Sequence, residues 1–186
     1  MGGVPEWLAP ATGVVALGSG VALVGLYAYG RSVPETHHTE VHATIPEAPD
    51  AAWALAVDWK QRPTWRPDVA RIGEIDDIAG RPTWRELDPG GDRFDFSIET
   101  EVRPTLVLVA ARPEDLGMEV RWTWTIEPAP GATGEEGTRI TIAEDASIDN
   151  ELFRGWWALT VGPYAAIEPD LAAFTAALGH PAVPER

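Results

Sequence analysis

Mostly apolar and aromatic residues recur every three or four positions near the C-terminus. They are Phe153, Trp156, Trp157, Thr160, Tyr164, Ile167, Leu171, Phe174 and Leu178. This is the spacing of one apolar face of an α-helix. Asn150 or its neighbour Asp149 is a suitable N-cap, and Gly179 is a suitable helix stop. The pattern predicts a helix over residues 149–179.

Proline interrupts this predicted helix at two places. Gly162-Pro163 follows the third turn, and Pro169 comes six residues later. A proline inside a helix removes a hydrogen bond and bends the axis. The segment is therefore either one bent core helix or two helices in series, and a hinge beside a ligand entrance is the alternative interpretation of the kink.

Residues 38–148 show the pattern of strands instead. Residues 93–102 alternate most clearly, with Phe94, Phe96 and Ile98 on one face and acidic residues on the other, which is typical of a sheet with one buried face. The predicted strands are 38–45, 71–76, 80–87, 93–102, 105–111, 119–127 and 137–147, with a short helix at 51–59 between the first two. A long aromatic helix needs an apolar surface to pack on. We therefore predict an α+β domain in which a curved antiparallel sheet wraps around the C-terminal helix and leaves a cavity between them.

The N-terminal stretch has the pattern of a membrane span. No charged residue occurs between Glu6 and Arg31. As a helix this stretch spans about 36 Å, which exceeds a bilayer core of about 30 Å. Trp7, Tyr27 and Tyr29 suit the two membrane interfaces. A cleaved signal peptide is the alternative, but the residues before the stretch contain no Lys or Arg.

These patterns divide the chain into three parts. We expect residues 1–35 to form an N-terminal transmembrane anchor and linker, with membrane contact through residues 7–30. Residues 36–180 are expected to form the folded domain, and residues 181–186 a C-terminal tail. Arg31 is the nearest cation to the span, so the positive-inside rule places the domain in the cytoplasm, on the evidence of one residue.

Charge and composition exclude several functional classes. The formal net charge is −15, from 29 acidic and 14 basic residues. Nucleic-acid binding needs a basic surface and is therefore not expected. The chain has no cysteine, which excludes disulfides, thiolate metal sites and a cysteine nucleophile. No glycine-rich phosphate loop follows a predicted strand, and we expect no cofactor.

Several local patterns match one known superfamily. They are Asp58, Trp65, Pro67 and Val69 after a strand and a proline-bounded helix start, the strand Trp84-Arg-Glu, and the paired late strands of residues 122–145. In these respects residues 38–179 resemble the polyketide cyclase/dehydrase-like branch of the SRPBCC superfamily, whose members are START-related, helix-grip proteins. The resemblance implies a helix-grip fold, but the superfamily hosts binders, transfer proteins, cyclases and co-regulators, so it does not choose an activity.

The resemblance also implies a deep apolar cavity between the sheet and the C-terminal helix. The residues expected to line a ligand site there are Trp65, Trp84, Phe94, Phe96, Ile98, Trp122, Trp124, Ile140, Ile142, Trp156 and Tyr164. Flat rings around one helix suit a flat or lipid-like ligand. Each ring taken singly is explained as well by core packing.

Few polar residues are candidates for chemistry in this cavity. Glu144 lies two residues beyond Ile142 on the inward face of its strand, and Tyr164 offers a hydroxyl from the helix. A desolvated Glu144 would suit a general base. Alternatively, it lies at the solvent end of the sheet or pairs with an arginine. Arg85 and Arg121 alternate with tryptophan, which is typical of the hydrated face of a strand.

Three histidines, His37, His38 and His42, lie close together in the sequence. No HExxH motif or carboxylate triad accompanies them, so we predict a solvent-exposed strand edge and no metal site.

Three functions remain open at this point. The first is a membrane-tethered module that binds a hydrophobic small molecule or lipid. The second is a cyclase or dehydratase acting on a polyketide-like substrate in the same cavity, and it requires two polar groups that converge inside it. The third is an interaction domain whose tryptophans fill the core and leave no pocket.

Overall fold

The computed structural model describes residues 21–77, 80–111, 117–130 and 136–186. Its strands are β1 (Thr36–Ile45), β2 (Arg71–Glu74), β3 (Thr83–Leu87), β4 (Arg93–Val102), β5 (Thr105–Ala111), β6 (Met118–Pro130) and β7 (Glu136–Ile148). Every neighbouring pair is antiparallel, in the order β1-β7-β6-β5-β4-β3-β2. The predicted α+β fold with an antiparallel sheet is confirmed.

The helices lie before β1, between β1 and β2, and after β7. They are α1 (residues 21–32), α2 (Pro49–Val57), α3 (Arg62–Trp65), α4 (Glu151–Thr160) and α5 (Ile167–Ala177), with a 3₁₀ turn at Trp59–Gln61. The predicted C-terminal helix is two helices in series. Gly162 lies between them with φ of +84°, a conformation that residues with a Cβ rarely adopt.

The ends of these two helices follow the capping signals only in part. The Asn150 side chain accepts a hydrogen bond from the backbone N–H of Phe153 at 2.9 Å, which confirms the predicted cap of α4. The predicted interruption at Pro169 is wrong. Pro169 lies in the first turn of α5, where the missing N–H has no helical acceptor.

Helix α5 supplies the core that covers the sheet. Ile167, Leu171 and Phe174 are fully buried and pack with the inward residues of β1 and β7. Full burial of such side chains stabilises a fold by about 1.5–3 kcal/mol each. Helix α2 packs against β6 and β7 and buries Trp53. The two helices thus hold one end of the sheet closed.

Two strands differ from the alternation predicted for them. The register between β4 and β5 shifts between Ile98 and Thr100, and Val102 is therefore 68% exposed instead of facing inward. Strand β6 continues through the predicted loop start at Pro128 to Pro130. Proline is tolerated there because the pairing with β5 has already ended at Thr125, so that part of β6 is a sheet edge.

Helix α1 ends against α4. The backbones of Gly30 and Gly155 meet so closely that a Cβ on Gly155 would lie 2.6 Å from the carbonyl oxygen of Leu26. The buried Arg154 donates from Nε to the Gly30 carbonyl at 2.8 Å and from Nη1 to the Ile148 carbonyl at 2.5 Å. The Arg154 side chain thus satisfies a backbone carbonyl at the C-terminal end of α1.

The described part of the chain contains no helix that is both long and apolar enough to span a membrane. Residues 7–20, the first 14 of the 24 residues of the predicted span, lie outside the described residues. The anchor therefore stays a prediction. At the other terminus, Glu185 exchanges two backbone hydrogen bonds with His42 of β1, so the predicted tail lies along the sheet edge.

Candidate functional site

A cavity of about 410 Å³ lies between the sheet and the segment that joins α4 to α5. Its floor is formed by Phe94, Phe96, Ala110, Met118, Val120, Trp122 and Glu144. Its roof is formed by Trp157, Val161, Gly162, Ala165, Ala166, Pro169 and Asp170, and its side by residues 66–69, Glu86 and Asp88. The cavity exists because α4 turns away from the sheet at Gly162, whereas α5 lies on it.

Four stacked aromatic rings lie in a row across the inner face of the sheet. We call them the aromatic ladder: Trp59, Trp84, Phe96 and Trp122. Their centroids are 4.9, 5.6 and 5.4 Å apart in sequence, with interplanar angles of 9°, 11° and 18°. Antiparallel pairing places Trp84 directly opposite Phe96, which is why the rings stack. Phe96 and Trp122 of this ladder line the cavity, so the ladder supplies part of its apolar floor.

One end of the ladder contacts a buried carboxylate, Glu144. The Trp122 indole donates to Glu144 Oε2 at 2.7 Å, and the imidazole Nε2 of His37 lies 3.0 Å from Oε1. Trp157 of α4 stacks on His37 with centroids 4.7 Å apart. Glu144 is buried, and its partners are a histidine and an indole, not the arginine that the sequence alternative allowed. Together these contacts orient the Glu144 carboxylate at the cavity wall, with the His37 imidazole behind it and outside the lining.

Trp84, the second ring of the ladder, contacts a charged cluster, defined here as Arg62, Arg66, Asp68, Glu86 and Asp170. The Trp84 indole donates to Glu86 Oε1 at 2.9 Å. Arg62 forms an ion pair with the same oxygen at 2.6 Å, although its Nε–H is not aligned for a hydrogen bond. Arg66 binds Asp68 and lies 3.1 Å from Asp170 Oδ1 and 3.5 Å from Glu86 Oε2. Three carboxylates therefore surround Arg66.

Burial shifts the acid–base equilibria of the charged cluster. Removal from water raises the pKa of Asp170 to about 6, although Arg66 and Arg62 favour its ionised form. Burial, together with the charge of Arg66, lowers the pKa of Arg62. Burial also acts to lower the pKa of Arg66, but Asp170, Asp68 and Glu86 outweigh it and raise that pKa. Arg66 therefore stays cationic, while Asp170 titrates close to neutral pH.

The sequence of residues 36–178 matches the family described as polyketide cyclase / dehydrase and lipid transport. The chain belongs to this family. The superfamily predicted from the local patterns is thereby confirmed. No curated protein matches the sequence.

Solved structures with the same fold have low sequence identity to this family member. The aromatase/cyclase Zhui from Streptomyces sp. R1128 superposes with a TM-score of 0.61 at 11% identity, over 77% of this chain and 94% of that one. Norcoclaurine synthase from Thalictrum flavum superposes with a TM-score of 0.59 at 12% identity, over 81% of this chain and 90% of that one. At such identities the likeness shows the fold alone.

Only some of the predicted site residues line the cavity of this family member. Phe94, Phe96, Trp122 and Glu144 do so. Several others pack in the core outside the lining: Trp65, Trp84, Ile98, Trp124, Ile140 and Ile142. Trp65 and Trp124 contact the Phe174 ring edge-on from two sides, at 5.4 and 5.1 Å. These six residues support the lining from behind instead of facing a ligand.

Two aromatic residues of the C-terminal segment are placed differently from the prediction. Trp156 is 46% exposed and stacks on Phe153, whereas its neighbour Trp157 faces the cavity. Tyr164 lies at the edge of the core under the guanidinium of Arg186, 4.3 Å from its ring centroid, and is not part of the lining. Tyr164 lies beyond the break at Gly162 and therefore does not continue a face of α4.

The outer face of the sheet is hydrated, as the alternation predicts. Arg85 binds Asp95 through two hydrogen bonds of 2.6 and 2.7 Å, and Arg121 pairs with Glu99. His38 points outward and binds Asp145. No group of three potential metal ligands occurs among the described residues.

Sequence reasoning missed the charged cluster and the role of His37. Arg66 and Asp170 are 104 positions apart, and the ion pair between them appears only once α3 packs on α5. His37 carried one usable signal. It lies on the opposite face of β1 from His38 and His42, and that face is the inward one.

Proposed function

We propose that this chain binds a hydrophobic small molecule or lipid in the cavity between the sheet and the α4–α5 segment. The observation that supports this proposal most directly is the cavity itself. Its volume of about 410 Å³ falls within the range of roughly 300–1,000 Å³ that is typical of ligand sites. Most of its lining is aromatic or aliphatic. A cavity of this size argues against the interaction domain with a filled core.

The ladder favours a flat or ring-containing ligand. Phe96 and Trp122 present aromatic surface from the floor, and Trp157 lies in the roof. Aromatic pairs contribute about 0.5–1.5 kcal/mol beyond the area that they bury. A planar ligand between floor and roof would gain this contribution, whereas a saturated chain would gain only burial.

A pair of variants on strand β5 tests this proposal. Ala110→Phe inserts a ring into the cavity, whereas Val109→Phe adds the same ring on the opposite face of the strand. We expect 2-naphthaleneethanol to bind the full chain in lipid nanodiscs, as measured by calorimetry against empty nanodiscs. Ala110→Phe should weaken this binding at least about tenfold, which corresponds to about 1.4 kcal/mol. Equal binding by both variants would place the ligand elsewhere.

The Glu144–His37 pair supports a second candidate, an enzyme of the cyclase or dehydratase type. Glu144 is buried at the cavity wall, and His37 lies within hydrogen-bond distance of it. Such a pair is suited to moving a proton to or from a bound carbonyl compound. Tyr164, the other predicted catalytic residue, lies outside the lining. Loss of turnover with retained binding in Glu144→Gln would support the enzyme, whereas unchanged turnover would exclude Glu144 as its base.

The membrane tether also remains part of the proposal. Among the described residues, nine of the eleven exposed large hydrophobic side chains lie on α1, on α4 or at the cap of α4. These two helices meet at Gly30 and Gly155, so their apolar surfaces adjoin one another and continue the uncharged N-terminal stretch. This arrangement supports a bilayer as the occupant, while the cytoplasmic side is supported by Arg31 alone.

Membrane fractionation and protease protection test the tether and its orientation. We expect the full chain to sediment with membranes and to resist extraction at high salt, because the predicted contact is apolar. Protease should degrade the domain in inside-out vesicles and spare it in intact cells. Release into the soluble fraction would exclude the anchor, and degradation in intact cells would reverse the orientation.

A further inference from the structure

The charge of the cavity wall bears on which ligands it accepts. The described lining contains five carboxylates, from Asp68, Glu86, Asp88, Glu144 and Asp170, and a single guanidinium, from Arg66. Three of these carboxylates are buried: Glu86, Glu144 and Asp170. No lysine belongs to the described lining. The wall is therefore strongly acidic in its polar part and apolar in the rest.

The one cation among the described lining residues is already neutralised. Arg66 binds Asp68 and lies within ion-pair distance of both Glu86 and Asp170. Arg62, behind it, lies against Glu86. Displacement of Glu86 or Asp170 by an incoming carboxylate or phosphate would leave a buried carboxylate without its counter-ion, which is costly, whereas Asp68 is exposed to water. Arg66 already has three carboxylates around it and is a poor receptor for an anionic group, and Arg62 does not belong to the described lining.

Glu144, unlike the two arginines, can accept further hydrogen bonds from a ligand. Its two oxygens accept from His37 and Trp122, and a carboxylate has about four acceptor positions, so further hydrogen-bond donors can be accommodated. The group faces the cavity beside the flat ring of Trp122. A ligand whose ring lies on the ladder would bring a polar substituent to this carboxylate. A hydroxyl or an ammonium group satisfies it, whereas an anion is repelled by it.

We propose that the ligand of this cavity is an apolar, ring-containing molecule whose polar end is a hydroxyl or an amine, and that carboxylate and phosphate ends are excluded. This inference rests on the proposed function, since it names the chemical class that the same cavity selects. Glu144 is the expected acceptor for the polar end, and the charged cluster repels anions from the other side.

A matched series of probes tests the selection. The full chain in lipid nanodiscs is titrated by calorimetry with 2-naphthaleneethanol, 2-naphthaleneethylamine and 2-naphthaleneacetate, with empty nanodiscs as the blank. All three share one ring system and differ in the polar end. We expect the alcohol and the amine to bind at least about tenfold more tightly than the acid, given the size of like-charge repulsion near a protein surface.

Two variants locate the source of the selection. Glu144→Gln removes one buried negative charge with little change in shape, and we expect it to improve binding of the acid relative to the alcohol by about threefold or more. Glu101→Gln removes a carboxylate from the exposed end of β4 and should leave the ratio unchanged. An unchanged ratio in Glu144→Gln would overturn the assignment of Glu144.

The outcomes separate this inference from the proposed function. If the acid binds as tightly as the alcohol or more tightly, the cavity binds ligands but the selection for hydroxyl and amine groups is refuted. If none of the three probes binds, the proposed function fails and this inference fails with it. The wild-type series alone decides between these results, even if Glu144→Gln does not fold.

Discussion

Substitution of Asp170 by asparagine is expected to change how the stability of the domain depends on pH. Asp170 is buried within the charged cluster, and burial raises its pKa from 3.8 to about 6. In the unfolded chain it should titrate near the ordinary value. Between these two values the folded protein binds the extra proton. Asp170 therefore contributes stability that is fully present below about pH 4 and is lost as the pH rises through about 6.

The structure gives the size of this effect. A pKa difference of about two units, at about 1.4 kcal/mol per unit, corresponds to roughly 3 kcal/mol of unfolding free energy. Asp170→Asn keeps the shape of the protonated acid but has no proton to release. The variant should therefore lack this loss, and its stability relative to the wild type should rise by up to that amount between pH 4 and pH 7.

Urea unfolding followed by tryptophan fluorescence measures this difference at pH 4, 5, 6 and 7, on the full chain in detergent micelles. Asp68→Asn is the matched control, because the stability that Asp68 contributes changes only below about pH 4 and its profile should run parallel to the wild type from pH 4 to pH 7. Burial acts to raise the pKa of Asp68, but its hydrogen bond with Arg66 outweighs this and lowers it. Asp68 thus contributes stability above about pH 4 that is lost at lower pH. Parallel pH profiles for Asp170→Asn and the wild type, within about 0.5 kcal/mol, would refute the reasoning.

Three further substitutions test a helix–helix contact, a core residue and a helix cap. Gly30→Ala should release α1 from α4, because its Cβ would overlap the Glu151 carbonyl, while Gly25→Ala, with open space around it, should not; hydrogen exchange of residues 26–35 distinguishes them. Leu171→Ala should lower the unfolding free energy by about 2–5 kcal/mol, since the side chain is fully buried, and a loss below 1 kcal/mol in urea unfolding would contradict its place in the core. Asn150→Ala should cost about 1 kcal/mol by removing the cap of α4, whereas Asn150→Asp should retain most of it in the same assay.

The strands of the sheet could be predicted from the sequence because each of them has its own alternation of apolar and polar residues. Phe94 and Phe96, or Trp124 and Ile126, are two residues apart, and local spacing decides which face is buried. Val102 departs from this because a register shift between strands is a property of the pair, and one strand alone does not encode it. The helix break at Gly162 can likewise be predicted from the local sequence. The positions of Trp156 and Tyr164 depend on tertiary packing, and the local sequence does not encode them.

The candidate site was predictable only where it coincides with strand parity. Glu144 was found because it continues the inward row of Ile140 and Ile142. His37, one partner of Glu144, and the members of the charged cluster come from elements far apart in the chain, such as β1, α3, β3 and α5. A buried ion pair is decided by tertiary packing, and the sequence offers no spacing rule for it.

Native mass spectrometry of the full chain, purified from the cells that naturally produce it, tests the central claim most directly. We expect one bound molecule per chain. Once identified, this molecule should contain a ring system and a hydroxyl or amine group. The same molecule should be missing from Ala110→Phe and present in Val109→Phe. An equal load of ligand in both variants, or a wild-type chain of unmodified mass, would contradict the claim that this cavity is a binding site.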